Sequence, residues 1–268
     1  MEGAPAAAPQ GAPTVAKPAH RDPRIHTPQH LAERILSGRG ALEGERKQVT
    51  VLFADVKGSM ELAEQVDTEE FYTLLDRFFV ILTEGVHRFE GTINQYAGDG
   101  VMALFGAPIA HEDHAHRACY AALHLLEELR RFSQELKRTR GLPFAVRMGI
   151  NSGEVVIGTI GDDLRMDYTA QGQVIGIAAR LQALADPGKA YVSEHTADLV
   201  SGFFQLESLG RYDVKGVSRP LGVFSLEGAG RMRTRLSMSQ LRIRIERCAR
   251  SEERRVGKEC RSRWSPYH

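Results

Sequence analysis

Apolar positions run almost unbroken from Val49 to Ala54 and stop at Asp55, after which Lys57-Gly58-Ser59 turns the chain into an amphipathic segment. Such a run predicts a buried strand that carries a carboxylate to its end, followed by a loop of free backbone N–H groups. A second carboxylate is delivered by Gly98-Asp99-Gly100, between the β-like segments 92–96 and 101–105, a hairpin signal. Between these two, Phe71, Leu74, Leu75, Phe78, Leu82 and Val86 recur at helical spacing. They predict one amphipathic helix over 68–89, ended by Gly91. A second long helix fits 112–140, with Ala115, Cys119, Ala122, Leu126, Leu129, Phe132 and Leu136 on one face and Gly141 and Pro143 as its stop. Strands over 144–150 and 155–160 follow, joined around Ser152-Gly153. Next come a helix over 173–185 closed by Asp186-Pro187-Gly188, a strand at 190–193, a short helix at 194–200, and strands at 203–209 and 222–226. This order predicts an α/β (α+β) sandwich, with helices on one face of a mainly antiparallel sheet.

The flanks read differently. Residues 1–20 are rich in Ala, Pro and Gly and offer almost nothing to bury. Pro28, Leu31, Ile35 and Leu36 predict a short helix ended by Gly38, so 1–44 is an unstructured segment with a pre-domain helix ahead of a domain at 45–228. Residues 229–249 form a basic linker with Arg231, Arg233, Arg235, Arg242, Arg244 and Arg247. The last stretch, 250–268, resembles translated sequencing adapter and is expected to be an artefact.

Composition narrows the function. With 268 residues, a net charge of +1, 42% hydrophobic and 26% charged residues, the chain has the make-up of an ordinary globular protein. It gives no reason to expect a nucleic-acid or membrane partner. No apolar run approaches the ~18 residues of a membrane span, no signal peptide is visible, and three cysteines without CxxC spacing suggest neither disulfides nor zinc. A cytoplasmic protein is expected. His111, His114 and His116 lack the i, i+4 spacing of a metal pair and read as an exposed, polar first helical turn. Met148 and Met166 read as packing residues.

Two hard carboxylates on neighbouring strand ends suit Mg²⁺ or Mn²⁺, which take oxygen ligands and complete their shells with substrate phosphates. At this point the chain resembles the class III nucleotidyl cyclase catalytic domains. The ordered segments are Val51-Leu52-Phe53-Ala54-Asp55, Gly98-Asp99-Gly100, the run Arg147 to Glu154, Ala178-Ala179-Arg180-Leu181, and Val214-Lys215-Gly216. The resemblance implies a ferredoxin-like fold and conversion of ATP, with GTP as the alternative, to a cyclic nucleotide and pyrophosphate in signal transduction. It implies two Mg²⁺ or Mn²⁺ per site held by Asp55 and Asp99, which assist attack of the ribose 3′-hydroxyl on the α-phosphate. Arg147 and Lys215 match triphosphate-holding residues, Gln95 and Thr169 match base-reading positions, and Arg180 matches the arginine that stabilises the transition state. A head-to-tail homodimer with interface active sites is implied, metal aspartates from one chain and Arg180 from the other. The segments at 27–33 and 231–236 resemble a bacterial subfamily with a downstream ATPase and helical repeats, of which this chain carries no G-x-x-x-x-G-K-[ST].

Three departures stand out. Gly176 takes the place of the family's transition-state Asn, one helical turn before Arg180, and loss of one such donor costs ~10²–10³ in rate. Gln95 stands where adenylyl cyclases carry Lys, and Thr169 where many carry Asp. The alternative is therefore a degenerate cyclase domain that binds nucleotide or dimerises as a regulatory module. A diguanylate cyclase is disfavoured, because Gly98-Asp99-Gly100-Val101-Met102 is not that family's signature.

Overall fold

The computed structural model describes residues 46–156, 173–214, 217 and 219–230. The expected pre-domain helix, the basic linker, the terminal stretch, Met166, Thr169 and Lys215 lie outside the described residues. The strands are β1 (Arg46–Val56), β2 (Thr92–Ala97), β3 (Gly100–Phe105), β4 (Val146–Val156), β5 (Ala190–Ser193), β6 (Phe204–Tyr212) and β7 (Leu221–Ala229). The helices are α1 (Ser59–Gln65), α2 (Thr68–Arg88), α3 (His114–Arg140), α4 (Gln173–Leu184) and α5 (Glu194–Leu199). Among the described residues the strands form one sheet in the order β2-β3-β1-β4-β5-β7-β6, antiparallel at every step except the parallel β4–β5 pair.

Alternation along β1 explains the layers. Leu52, Ala54 and Val56 face the main core with Phe78, Phe79 and Leu82 of α2 and Ala118, Ala122 and Leu125 of α3. Val49 and Val51 face the other way and pack with Ala178 and Val174 of α4. The expected mainly antiparallel sheet is therefore present with α2, α3 and α5 on one face, but α4 covers the opposite face, which the one-sided expectation did not include. Asp55 shares parity with Val49 and Val51, so the carboxylate emerges on the α4 side.

Local chemistry sets the helix ends. Asp67 caps α2 by accepting from the Glu70 N–H at 2.7 Å. Gly141 closes α3 in the left-handed region, its N–H bonded to the Lys137 carbonyl.

Three expectations change. Residues 146–156 form one continuous strand, not two joined at Ser152-Gly153. Those small residues meet packed partners instead of turning: Ser152 Oγ lies 2.7 Å from Thr50 Oγ1, and a Cβ on Gly153 would stand 2.7 Å from Val174 Cγ2. On α3 the core residue is Leu125, fully buried, with Leu126 only partly so. The helix start is not an exposed polar turn either. His114 is buried with Nδ1 2.7 Å from Thr50 Oγ1, His116 packs edge-on against Phe203, and His111 pairs with Glu90 at 2.8 Å. Burial and neighbouring histidines outweigh the pull of Asp113 and hold the His114 pKa below its usual value, so it serves as a neutral hydrogen-bonding group.

The layers approach closely at Gly149 on β4. A Cβ there would stand 2.1 Å from the Gln182 backbone N and 2.2 Å from the Ala178 carbonyl oxygen. Backbone cannot yield as a flexible side chain can, so Gly149→Ala must push α4 off the sheet. Chemical denaturation should read a stability loss of about 3 kcal/mol; a variant as stable as the parent would contradict this packing.

Candidate active site

The end of β1 gathers the site. Asp55 lies opposite Gly100 of β3 and opposite Arg147 of β4. Asp99 immediately precedes Gly100 in the β2–β3 turn, where Gly98 takes a positive φ of 63°. Two carboxylates are thereby held side by side, with one guanidinium across the sheet.

Arg147 Nη2 donates to Asp55 Oδ2 at 3.1 Å, and its Nη1 donates to the Ala183 carbonyl at 3.1 Å. Its Nε is buried and makes no hydrogen bond. A third group, not marked by any motif, joins them: Gln182 Nε2 donates to the same Asp55 Oδ2 at 3.0 Å. Burial raises the Asp55 pKa above the ordinary 3.8, the negative charge of Asp99 raises it further, and Arg147 pulls it part of the way back.

These features fit a divalent cation. The donor set is hard oxygen, and the carboxylates repel each other without a cation. Among the described residues no group of three His, Cys, Asp or Glu could hold a metal, so two carboxylates would share its shell with substrate oxygens.

Arg180 does not join this cluster. It precedes Gln182 by two residues, about 200° around a helix of 3.6 residues per turn, so the two point to opposite sides of α4. Gln182 follows Ala178, fully buried against the sheet, by one turn. Arg180 shares its side with Gly176, and a Cβ on Gly176 would stand 3.3 Å from Arg180 Nη1. Gln95 is exposed on β2, just past a register irregularity between Ile93 and Gln95. The structure thus brings together Asp55, Asp99 and Arg147, adds Gln182, and leaves Arg180 facing away. Sequence reasoning missed Gln182 because a lone Gln on a helix carries no signal; the nearest clue was Gly149, which lets that helix turn reach the strand.

Comparison with known proteins shows the family. Residues 43–228 match the model of the adenylate and guanylate cyclase catalytic domain, and the chain belongs to that family. Adenylate cyclase 1 of Rhizobium meliloti (strain 1021) is 33% identical over 218 residues, 77% of this chain and 32% of that protein. An uncharacterised Mycobacterium tuberculosis protein is 32% identical over 178 residues, 66% of this chain and 32% of its own length. The chain thus spans about a third of the curated relatives it matches. Among solved structures, the adenylyl cyclase CyaB from P. aeruginosa is 31% identical with a TM-score of 0.66, covering 71% of this chain and 98% of that one. The guanylyl cyclase Cya2 is 28% identical with a TM-score of 0.66, covering 70% and 96%. Among the described residues no helix is long and apolar enough to cross a membrane.

The crowding of the two carboxylates is measurable. With Asp99→Asn, the carboxyl ¹³C titration of Asp55 in metal-free protein should move to lower pH, since one cause of its raised pKa is removed. An unchanged midpoint would contradict the pairing. Because the folded state holds this proton longer than the unfolded chain, the metal-free fold loses stability as pH rises above about 3.8 through the Asp55 titration.

Proposed function

We propose that this domain is an adenylyl cyclase, converting ATP to cyclic AMP and pyrophosphate in cytoplasmic signalling, and that it works as a head-to-tail homodimer. The observation that carries this reading is the convergence of Asp55 and Asp99 beside Arg147, whose buried Nε has no partner. Asp55 and Asp99 would hold two Mg²⁺ or Mn²⁺, which supply charge neutralisation at the phosphates and activation of the ribose hydroxyl when bound. Arg147 would turn from Asp55 to the triphosphate, aided by Lys215, since a guanidinium binds phosphate with two parallel hydrogen bonds. Gln95 and Thr169 would read the base.

Arg180 would stabilise the transition-state charge of the site on the partner chain. Its direction supports this, since it points away from the Asp55 of its own chain. Preference for ATP over GTP rests on the adenylate cyclase relative and the CyaB structure. A downstream regulatory module, an ATPase with helical repeats, would complete the protein.

Gly176 favours a second reading, a degenerate domain that binds nucleotide or dimerises without turnover. Arg180 leans over Gly176, and the missing Asn leaves one phosphate donor fewer. The deciding experiment offers ATP and GTP separately to the protein with Mn²⁺, with an Asp55→Ala/Asp99→Ala double variant as the blank. Cyclic AMP above the blank is expected; nucleotide binding without product would favour the regulatory reading.

Gly176→Asn should raise the cyclisation rate on the order of 10-fold or more. Only the flexible tip of Arg180 must move to admit the new side chain, and Gly is the poorer helix former. An unchanged rate in an active enzyme would contradict the missing-donor account.

A further inference from the structure

Gln182 sits where it touches the reaction only through another residue. Its Nε2 and the Nη2 of Arg147 both donate to Oδ2 of Asp55, at 3.0 and 3.1 Å. We propose that Gln182 is a positioning residue for the metal centre: from α4 it fixes the Asp55 carboxylate so that the oxygen neither donor holds faces the cation. This inference rests on the proposed role of Asp55 as a metal ligand.

Charge distinguishes the two donors. A guanidinium beside a carboxylate competes with a divalent cation for the same negative charge, and the triphosphate offers it a better partner. A neutral amide does not compete. Its hydrogen bond to Asp55 is compatible with a bound cation, so Gln182 holds the carboxylate when Arg147 leaves.

The seat of Gln182 is rigid. The backbone of α4 rests on Gly149 through the Ala178 carbonyl and the Gln182 N, and Ala178 and Leu181 are fully buried. The Cα of Gln182 is therefore fixed against the sheet, and only its side-chain rotamers are free. The backbone N of Gln182 lies against Gly149, and its side chain reaches Asp55, whose register partner Arg147 is two residues before Gly149 on β4. Hydrogen-bond partners of ligating carboxylates are typically worth 10- to 100-fold in metal affinity.

The test is Mn²⁺ affinity of the full chain, read by electron paramagnetic resonance with a 3′-deoxy nucleoside triphosphate that cannot cyclise. Gln182→Met keeps the length and removes the donor; Gln182→Leu is the second variant, and both are checked for native circular dichroism. About 10-fold weaker Mn²⁺ binding is expected in each, with nucleotide affinity in chelator unchanged and with the rate restored at saturating Mn²⁺. Unchanged Mn²⁺ affinity in either folded variant would overturn the inference while leaving a cyclase intact. Conversely, a wild-type protein that binds Mn²⁺ through Asp55 and Asp99 without making product would sink the cyclase reading and not this one. Failure of the wild type to bind Mn²⁺ would overturn both.

Discussion

The contact of helix α4 with Gly149 is the constraint on which the rest of the site depends. A helix can lie with its backbone against a strand only where that strand has no side chain, and Gly149 supplies the gap. Once seated, α4 has no rotational freedom left. Ala178 and Leu181 go down into the core, Gln182 meets Asp55, and Arg180 must face the other way. One glycine therefore decides which residues of α4 meet the carboxylate cluster and which face away from it.

The electrostatics of the cluster follow from that seating. Asp55 is half-buried beside a second carboxylate, and one arginine with one amide offsets only part of the repulsion. A cation bridging the carboxylates would relieve this repulsion, and in the proposed reading Arg147 would then be free for an anion. Gly176 is the weak point of the same helix. It lies under Arg180 on the outward side, where the family resemblance implies an Asn donor.

Much of this was legible in the sequence, for reasons that can be named. The apolar run into Asp55 and the Gly98-Asp99-Gly100 turn are local signals, and the structure keeps both in place. Helical periodicity gave α2 and α3 their extents, although an arc of one residue moved the buried position from Leu126 to Leu125. Ser152-Gly153 read as a turn because small residues serve turns and close approaches alike; only the partners Thr50 and Val174 tell which. The histidines at the start of α3 were misjudged as exposed because their partners, Thr50, Glu90 and Phe203, come from distant parts of the chain. Gln182 was invisible for the same reason, since its meaning lies in a 127-residue separation from Asp55.

In the proposed dimer, a working site needs the carboxylates of one chain and the outward face of α4 from another. Mixing two inactive variants, Asp55→Ala and Arg180→Ala, tests it directly. In a head-to-tail pair the mixed dimer carries one doubly impaired site and one intact site, so activity should return to about a quarter of the wild-type level. A mixture as silent as either variant alone, with exchange of subunits demonstrated, would contradict the account.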